Sequence, residues 1–332
     1  MSAAGSIRAA HLTDRQALVA LSRQVHDSAE GYRRSLGVPA RSASPPRISL
    51  AALMPSWLPL RSPSVHLVAE SEGRLVGSCR AIEEPHRDDW VITELDAAAS
   101  PMAGEVRYAL LQAVIQEGAQ RNVARYHAAC ADVPENMELF GQLSFMAYAH
   151  EEIWYRAPGG PPSAPAATDE PMAQAAQQDA WHLFDLWTHA TPPAIARIEG
   201  YGAADWEPVG HEGVVPRSSL NPLLHFSDVR GWLLPEGQRV AGFAQHGACR
   251  VGPHYLRFLV RDGADGAAFL SAVLAAIGGE ALAAGILSPV RTYESTGRQA
   301  AEATGFEPVG QVSMLVREVR ATLRQPAMVP AV

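Results

Sequence analysis

Apolar runs of two periods alternate along the chain, and they do so twice in the same order. Val65 to Glu70 and Leu75 to Ile82 are rich in β-formers and flank the tight turn Ser71-Glu72-Gly73-Arg74, which predicts a hairpin. Trp90 to Leu95 predicts a third strand. Val106, Leu110 and Val114 then recur every four residues with Leu111 and Ile115 beside them, the spacing of a buried helix face. Arg125 to Cys130 reads as a strand, Pro134 to Leu143 as a short helix and Tyr148 to Tyr155 as a closing strand. Ahead of the hairpin, a short strand around Ile7 leads to Thr13, three residues before Gln16, a capping-box start. Leu18, Leu21 and Val25 follow at helical spacing.

The second half repeats this order. Ala180 to Trp187 predicts a helix, and Ile195 to Trp206 extends it irregularly. Gly231 to Leu234 and Arg239 to Ala244 form a hairpin around Glu236-Gly237, and Tyr255 to Val260 is a strand. Phe269, Leu270, Val273, Leu274 and Ile277 mark a helix. Ile286 to Val290 predicts a strand, Ser295 to Thr304 a helix and Gln311 to Arg317 the last strand. LVAESEGRLVGSCRA from Leu67 aligns with WLLPEGQRVAGFAQ from Trp232. Gly77 precedes Phe145 by 68 residues and Gly242 precedes Phe306 by 64. Elements shared in order and spacing point to a duplicated domain. The halves are expected at 1–157 and 170–320, joined by a Pro/Gly/Ala linker at 158–169 and followed by a tail at 321–332.

Composition narrows the class. At 332 residues the chain suits two domains, and 47% hydrophobic residues can fill two cores. The net charge is −8, every basic side chain is Arg or His, and no basic tract carries interleaved aromatics, so nucleic-acid binding has no support. Cys79, Cys130 and Cys249 lie far apart and form no C-x-x-C pair, which argues against structural zinc and suits a reducing cytoplasm. Met1 to Arg8 lacks the apolar core of a signal peptide, and no apolar run reaches the roughly 18 residues of a membrane span. His225, His246 and His254 are not paired at metal spacing. A soluble cytoplasmic protein without metal, a monomer or homodimer, is expected.

The residues from Leu256, LRFLVRDGADGAAFLSAVL, followed by a strand and by Thr304-Gly305-Phe306, resemble the GNAT (Gcn5-related N-acetyltransferase) family. The family places a pyrophosphate-binding turn, R/Q-x-x-G-x-G/A, between its fourth strand and a long helix. Arg261-Asp262-Gly263-Ala264-Asp265-Gly266 fits it with Ala in the first Gly slot. Helix N-terminal amides and small residues suit a diphosphate; the alternative is an ordinary Gly-rich strand-to-helix loop. In the first half the same turn reads Met102-Ala103-Gly104-Glu105-Val106-Arg107, with Glu105 opposing a phosphate.

The resemblance implies an α+β fold: two GNAT domains in tandem, each a mixed, mostly antiparallel sheet flanked by helices. It implies an acyltransferase that takes acetyl-CoA or another acyl-CoA and acylates an amine of a small molecule. Leu259, Val260, Arg261, Gly263, Ala264 and Gly266 would hold the cofactor, with Leu95, Gly104 and Arg107 as a weaker set. The C-terminal copy is thus the better expected CoA site. Glu94 matches the family's fourth-strand base. Phe140 and Ala301 occupy its tyrosine slots, so Tyr293 is the remaining candidate acid, and His254 or Glu294 would have to serve as base in the second half. A decayed pair that only binds acyl-CoA or acts as a scaffold is the alternative. Gly37 to Pro63 is expected as a lid, an acceptor-site wall or plain surface.

Overall fold

The computed structural model describes residues 5–22, 24, 64–84, 87–159, 172–219, 226–249 and 252–319. Gly37 to Pro63, nearly all of the expected linker and the tail lie outside them.

The first half runs β1 (Ser6–Ala9), β2 (Ser64–Ser71), β3 (Arg74–Glu83), β4 (Asp89–Ala97), α1 (Ala103–Gln120), β5 (Arg125–Ala131), α2 (Pro134–Gln142) and β6 (Met146–Arg156). The second runs β7 (Ala173–Gln174), α3 (Ala180–Ala190), α4 (Pro193–Glu199), β8 (Phe226–Glu236), β9 (Arg239–Cys249), β10 (His254–Val260), α5 (Gly266–Ile277), α6 (Gly279–Ala284), β11 (Ile286–Arg291), α7 (Ser295–Ala303) and β12 (Glu307–Glu318). The periodicity placed most of these. The two-residue β7 and the glycine-bounded α6 carry too little pattern to be seen.

The duplication extends to irregularities. The β2–β3 ladder slips one residue just beyond Ala69↔Gly77, and the β8–β9 ladder slips just beyond Leu234↔Gly242. Both glycines let a helix approach. A Cβ on Gly77 would lie 2.6 Å from Val106 Cγ1, and one on Gly242 would lie 3.0 Å from the Phe269 ring. The α1 face expected from Val106, Leu110, Leu111, Val114 and Ile115 is buried against Val65, Cys79, Trp90 and Tyr126. Phe269, Leu270, Val273 and Leu274 of α5 pack in the same way on Leu256, Phe258 and Val290.

Each half has the expected mixed, mostly antiparallel sheet with flanking helices, and the structure adds that the two sheets are joined. The strands form one continuous twelve-stranded sheet in the order β1-β2-β3-β4-β5-β12-β6-β11-β10-β9-β8-β7. The last strand of each half crosses over: β12 lies antiparallel to β5 from Val312↔Ala131 to Glu318↔Arg125, and β6 lies antiparallel to β11 from Arg156↔Ile286 to Glu151↔Arg291. The two exchanged strands pair with each other at the centre. Ala149, Ile153, Tyr255, Leu287, Val312 and Met314 make a shared core there, drawn from both halves.

Candidate functional site

Among the described residues only two neighbouring strand pairs are parallel, β4–β5 and β10–β11, and both part company along their length. In the first half, pairing runs from Asp89↔Arg125 to Ile92↔Ala128 and stops. Thr93 to Ala97 stays attached to β3 alone, leaving a V-shaped gap beside β4. The β3–β4 ladder slips between Arg80 and Ala81, where Thr93 has no opposite number. A bulge bends the strand that carries it, which re-aims β4 at the point of divergence.

Two helices begin at the open end. At α1 no side chain caps the N-terminus, and a Cβ on Gly104 would meet nothing within 4 Å. One turn in, Arg107 Nη1 lies 3.4 Å from Asn136 Oδ1, while its Nε is buried without a partner. Asn136, in the first turn of α2, donates from Nδ2 to the Ala131 carbonyl at the end of β5 (3.2 Å). Arg107 and Asn136 therefore link the first turns of α1 and α2.

Across the sheet, His66, Arg80 and Glu94 stand abreast on β2, β3 and β4. Arg80 Nη1 is 3.5 Å from Glu94 Oε1. Both His66 nitrogens are buried without a partner, and burial holds its pKa down against the pull of Glu94. Asp96, two residues beyond Glu94 and so on its face of the strand, is pushed up to about 6 by burial and by the Glu94 charge, with Arg107 pulling the other way. The face thus carries two carboxylates and one guanidinium.

In the second half the pairing stops earlier, after Tyr255↔Leu287. Here, however, an ion pair spans the gap. Arg257 on β10 donates from Nη1 to Glu294 Oε2 (2.8 Å) and makes a second bond to Oε1, and both side chains are buried. Glu294, which follows β11, also accepts from the Arg291 amide (3.1 Å).

The turn that follows β10 is likewise occupied by the protein's own groups. Arg261 was expected at a phosphate; its Nε instead donates to the Val240 carbonyl (2.9 Å) and its Nη2 to the Asp185 carboxylate. The Ala264 and Gly266 amides donate to the Arg261 and Ala264 carbonyls (3.2 and 2.9 Å). Asp265 caps α5, accepting from the Ala268 amide at 2.9 Å. Asp262 accepts from the Thr296 hydroxyl (2.8 Å). Gly266 packs α5 on α7, where a Cβ would come 3.1 Å from the Ala300 Cβ. Gly263 holds a left-handed φ of +90° in open space. Leu259 and Val260 are core residues, Leu259 against Leu183 and Leu186, Val260 beside Phe269.

The two expected catalytic residues do not meet. Glu94 lines the first gap, and Tyr293 follows β11 at the second. From β4 to β11 is four strand spacings, roughly 19 Å, too far for both to act on one thioester. Burial raises the Tyr293 phenol pKa, with Arg291 opposing and Glu294 and Glu199 reinforcing the rise. His254 Nδ1 faces His246 Nε2 at 2.8 Å, and Glu294 is held by Arg257. Phe140 is core, edge-on to Phe145 at 5.1 Å. Leu95 packs on the first core, beside Glu94.

Sequence reasoning missed Asp96, Arg80 and His66. Strand alternation would have placed Asp96 beside Glu94. Nothing local could align the other two, because that needs the register of three strands. It also missed the buried charges that join the halves: Arg291 lies 2.9 Å from both Glu151 Oε1 and Glu199 Oε1, and the Ser219 amide donates to Glu151 Oε2 (2.9 Å). Among the described residues no group of three or more His, Cys, Asp or Glu is placed to hold a metal ion, and no helix is long and apolar enough to cross a membrane.

No family model matches the sequence, and no curated protein matches it. Solved structures do match. A tandem GNAT protein from the clavulanic acid biosynthesis pathway, solved without AcCoA, superposes with a TM-score of 0.58 at 12% identity, over 94% of this chain and 98% of that one. A GCN5-related N-acetyltransferase from Sphaerobacter thermophilus superposes with a TM-score of 0.59 at 15% identity, over 95% and 96% of the two chains.

Proposed function

This chain carries the tandem GNAT fold, and from that premise we propose that it is an acyl-CoA-dependent acyltransferase whose working site lies in its N-terminal half. The observation that carries the reading is the parting of β4 from β5 after Ile92 and Ala128, at the uncapped start of α1.

The first half fits an acyl-CoA in its open helix start and its arginine, although Glu105, exposed in that first turn, is a charge a diphosphate would have to avoid. Gly104 leaves the first turn of α1 open to a diphosphate, and the free amides of a helix start favour an anion. Arg107, with its buried unpartnered Nε, would add a charge-assisted contact. The edge of Thr93 to Ala97 that has left β5 would pair with the amides of the pantetheine arm. When bound, the cofactor supplies an activated acyl thioester. The second half does not fit: Arg261 and Asp265 are committed within the protein, and Arg257 with Glu294 crosses the gap.

An amine attacks only when neutral, so the site must remove a proton from its ammonium form. Glu94 is the group we assign to that step. Its side chain is 43% exposed, reachable from solvent, and Arg80 fixes it from the neighbouring strand. Asp96 adds negative charge on the same face and would hold the ammonium beside Glu94. Backbone N–H groups of the departing strand would polarise the thioester carbonyl. No tyrosine stands where Phe140 packs, so the leaving thiolate would be protonated by solvent. The acceptor is a small cationic amine, and the acidic chain would draw it in.

The test is release of free thiol from acetyl-CoA with a panel of small mono- and diamines. Steady turnover that Glu94→Gln abolishes supports the reading. Binding of acetyl-CoA without turnover by any amine would leave a non-catalytic acyl-CoA binder.

A further inference from the structure

The second half, with its own gap strapped shut, still reaches into the first. We propose that Arg217 is a positioning residue: contributed by the C-terminal half, it clasps the closed end of the N-terminal gap and so sets how far β4 and β5 part. The inference rests on the functional reading above only for its ligand.

Arg217 is buried, with a side chain 2% exposed. Its guanidinium serves three groups of the other half. Nε donates to Glu84 Oε1 (3.1 Å), and Nη2 to the second oxygen of that carboxylate. Nη2 also donates to Asp89 Oδ2 (3.1 Å), and Nη1 lies 2.6 Å from His127 Nε2. Asp89 opens β4 and His127 sits on β5; their rungs, Asp89↔Arg125 and Val91↔His127, belong to the short paired stretch that ends one rung later at Ile92↔Ala128. One cation from the other half thus bridges the two strands whose divergence makes the site.

Three further features mark this contact. Arg217 has φ +51°, a left-handed conformation uncommon outside glycine, and such backbone persists where its surroundings over-determine it. Burial works against its charge, and Tyr201 and the Glu84 carboxylate keep it. Burial lowers the His127 pKa and Arg217 adds to this, with the nearby Asp89 carboxylate opposing, which suits a neutral imidazole that accepts from Arg217. Two N-terminal arginines grip the second half nearby: Arg87 donates to the Glu199 carbonyl (2.6 Å) and pairs with Asp205, and Arg125 donates to the Ile198 carbonyl (3.3 Å).

The experiment compares full-length wild type, Arg217→Gln, Arg217→Lys and Arg257→Gln. The last breaks a buried ion pair of the second half, as a control for lost stability. Two readouts are taken: acetyl-CoA affinity by calorimetry, and hydrogen–deuterium exchange of amides in β4–β5 and β10–β11 without ligand. Arg217→Gln is expected to weaken acetyl-CoA at least 10-fold and to speed exchange at 89–97 and 125–131 by a similar factor, leaving β10–β11 unchanged. Arg217→Lys, which keeps the charge but not the fork, is expected to fall between. Arg257→Gln, at an equal or larger drop in melting temperature, is expected to leave both readouts at the first gap within 2-fold. Should Arg217→Gln fail to fold, Arg217→Lys carries the same comparison. Affinity and β4–β5 exchange that follow melting temperature alike in all variants would overturn the clasp. Wild type that binds no acetyl-CoA while Arg217 variants still loosen β4–β5 would sink the functional reading and leave the clasp standing.

Discussion

Arg80 Nη1 stands 3.5 Å from Glu94 Oε1, directly abreast of it on the next strand and at the point where β4 leaves β5. A carboxylate so placed borders the gap on one side and a fixed cation on the other. Glu94→Gln keeps the shape and loses the proton acceptor. Turnover is expected to fall by roughly 10²-fold or more, with acetyl-CoA affinity unchanged within 2-fold. Stopped-flow thiol release and calorimetry read the two quantities separately. A parallel loss of both would mean that Glu94 supports binding, not chemistry.

Asp96 should cost the fold stability at neutral pH. Its carboxyl rises from an ordinary 3.8 to about 6 on folding. Between those values the folded chain holds a proton that the unfolded chain has released, so raising the pH through this window weakens the fold. Above it the full cost is present, up to ~3 kcal/mol. Asp96→Asn is therefore expected to stabilise the protein at pH 8 and to be neutral at pH 4. Urea denaturation at both values tests this; the same difference at both would refute it. A residue that costs stability where it sits is what a functional site predicts.

The strap across the second gap makes the opposite claim. Glu294→Gln leaves Arg257 charged, buried and unmatched, at an expected cost of about 3–5 kcal/mol. Replacing both partners with methionine removes the charge and its need together, and should recover most of that loss. Thermal melts of the single and double variants decide it. Equal losses in the two would show that the cost lies in packing rather than in unmatched charge.

Gly77 offers a packing test without any charge. Gly77→Ala places a methyl 2.6 Å from Val106 Cγ1 and 2.9 Å from the Asp96 carbonyl. The helix must move or β3 must, and ~1–3 kcal/mol of stability should be lost. Because Asp96 shares the contact, acetyl-CoA affinity should weaken as well. A fully stable Gly77→Ala would show that α1 is free to slide on the sheet.

How much of this was legible in the sequence varies by level. Helix faces such as Val106 to Ile115 and hairpins such as the one turning at Glu72-Gly73 follow from local periodicity, and the structure has them. The exchange of β6 and β12 was not legible. Both strands read as ordinary closing strands, and which β-edge each one meets is decided across more than a hundred residues of chain. The expected phosphate turn carries a local feature that its motif does not show. Asp265 stands three residues before Ala268, the spacing of an N-cap, and a capped helix start is already satisfied. In the first half, by contrast, Met102 offers no cap, and the poorer motif leaves the better-exposed helix end. Glu94 came from family resemblance; its neighbours on the sheet came only from register.

The most direct measurement places a charge at each helix start in turn. Gly104→Asp puts a carboxylate in open space at the first turn of α1, where it harms no packing and favours the helix. Ala267→Asp places the same charge in the first turn of α5, at a half-buried position. Acetyl-CoA is then titrated into wild type and both variants by calorimetry. Binding lost in Gly104→Asp and kept in Ala267→Asp is the predicted result. Binding kept in Gly104→Asp and lost in Ala267→Asp would place the cofactor in the second half and contradict the account.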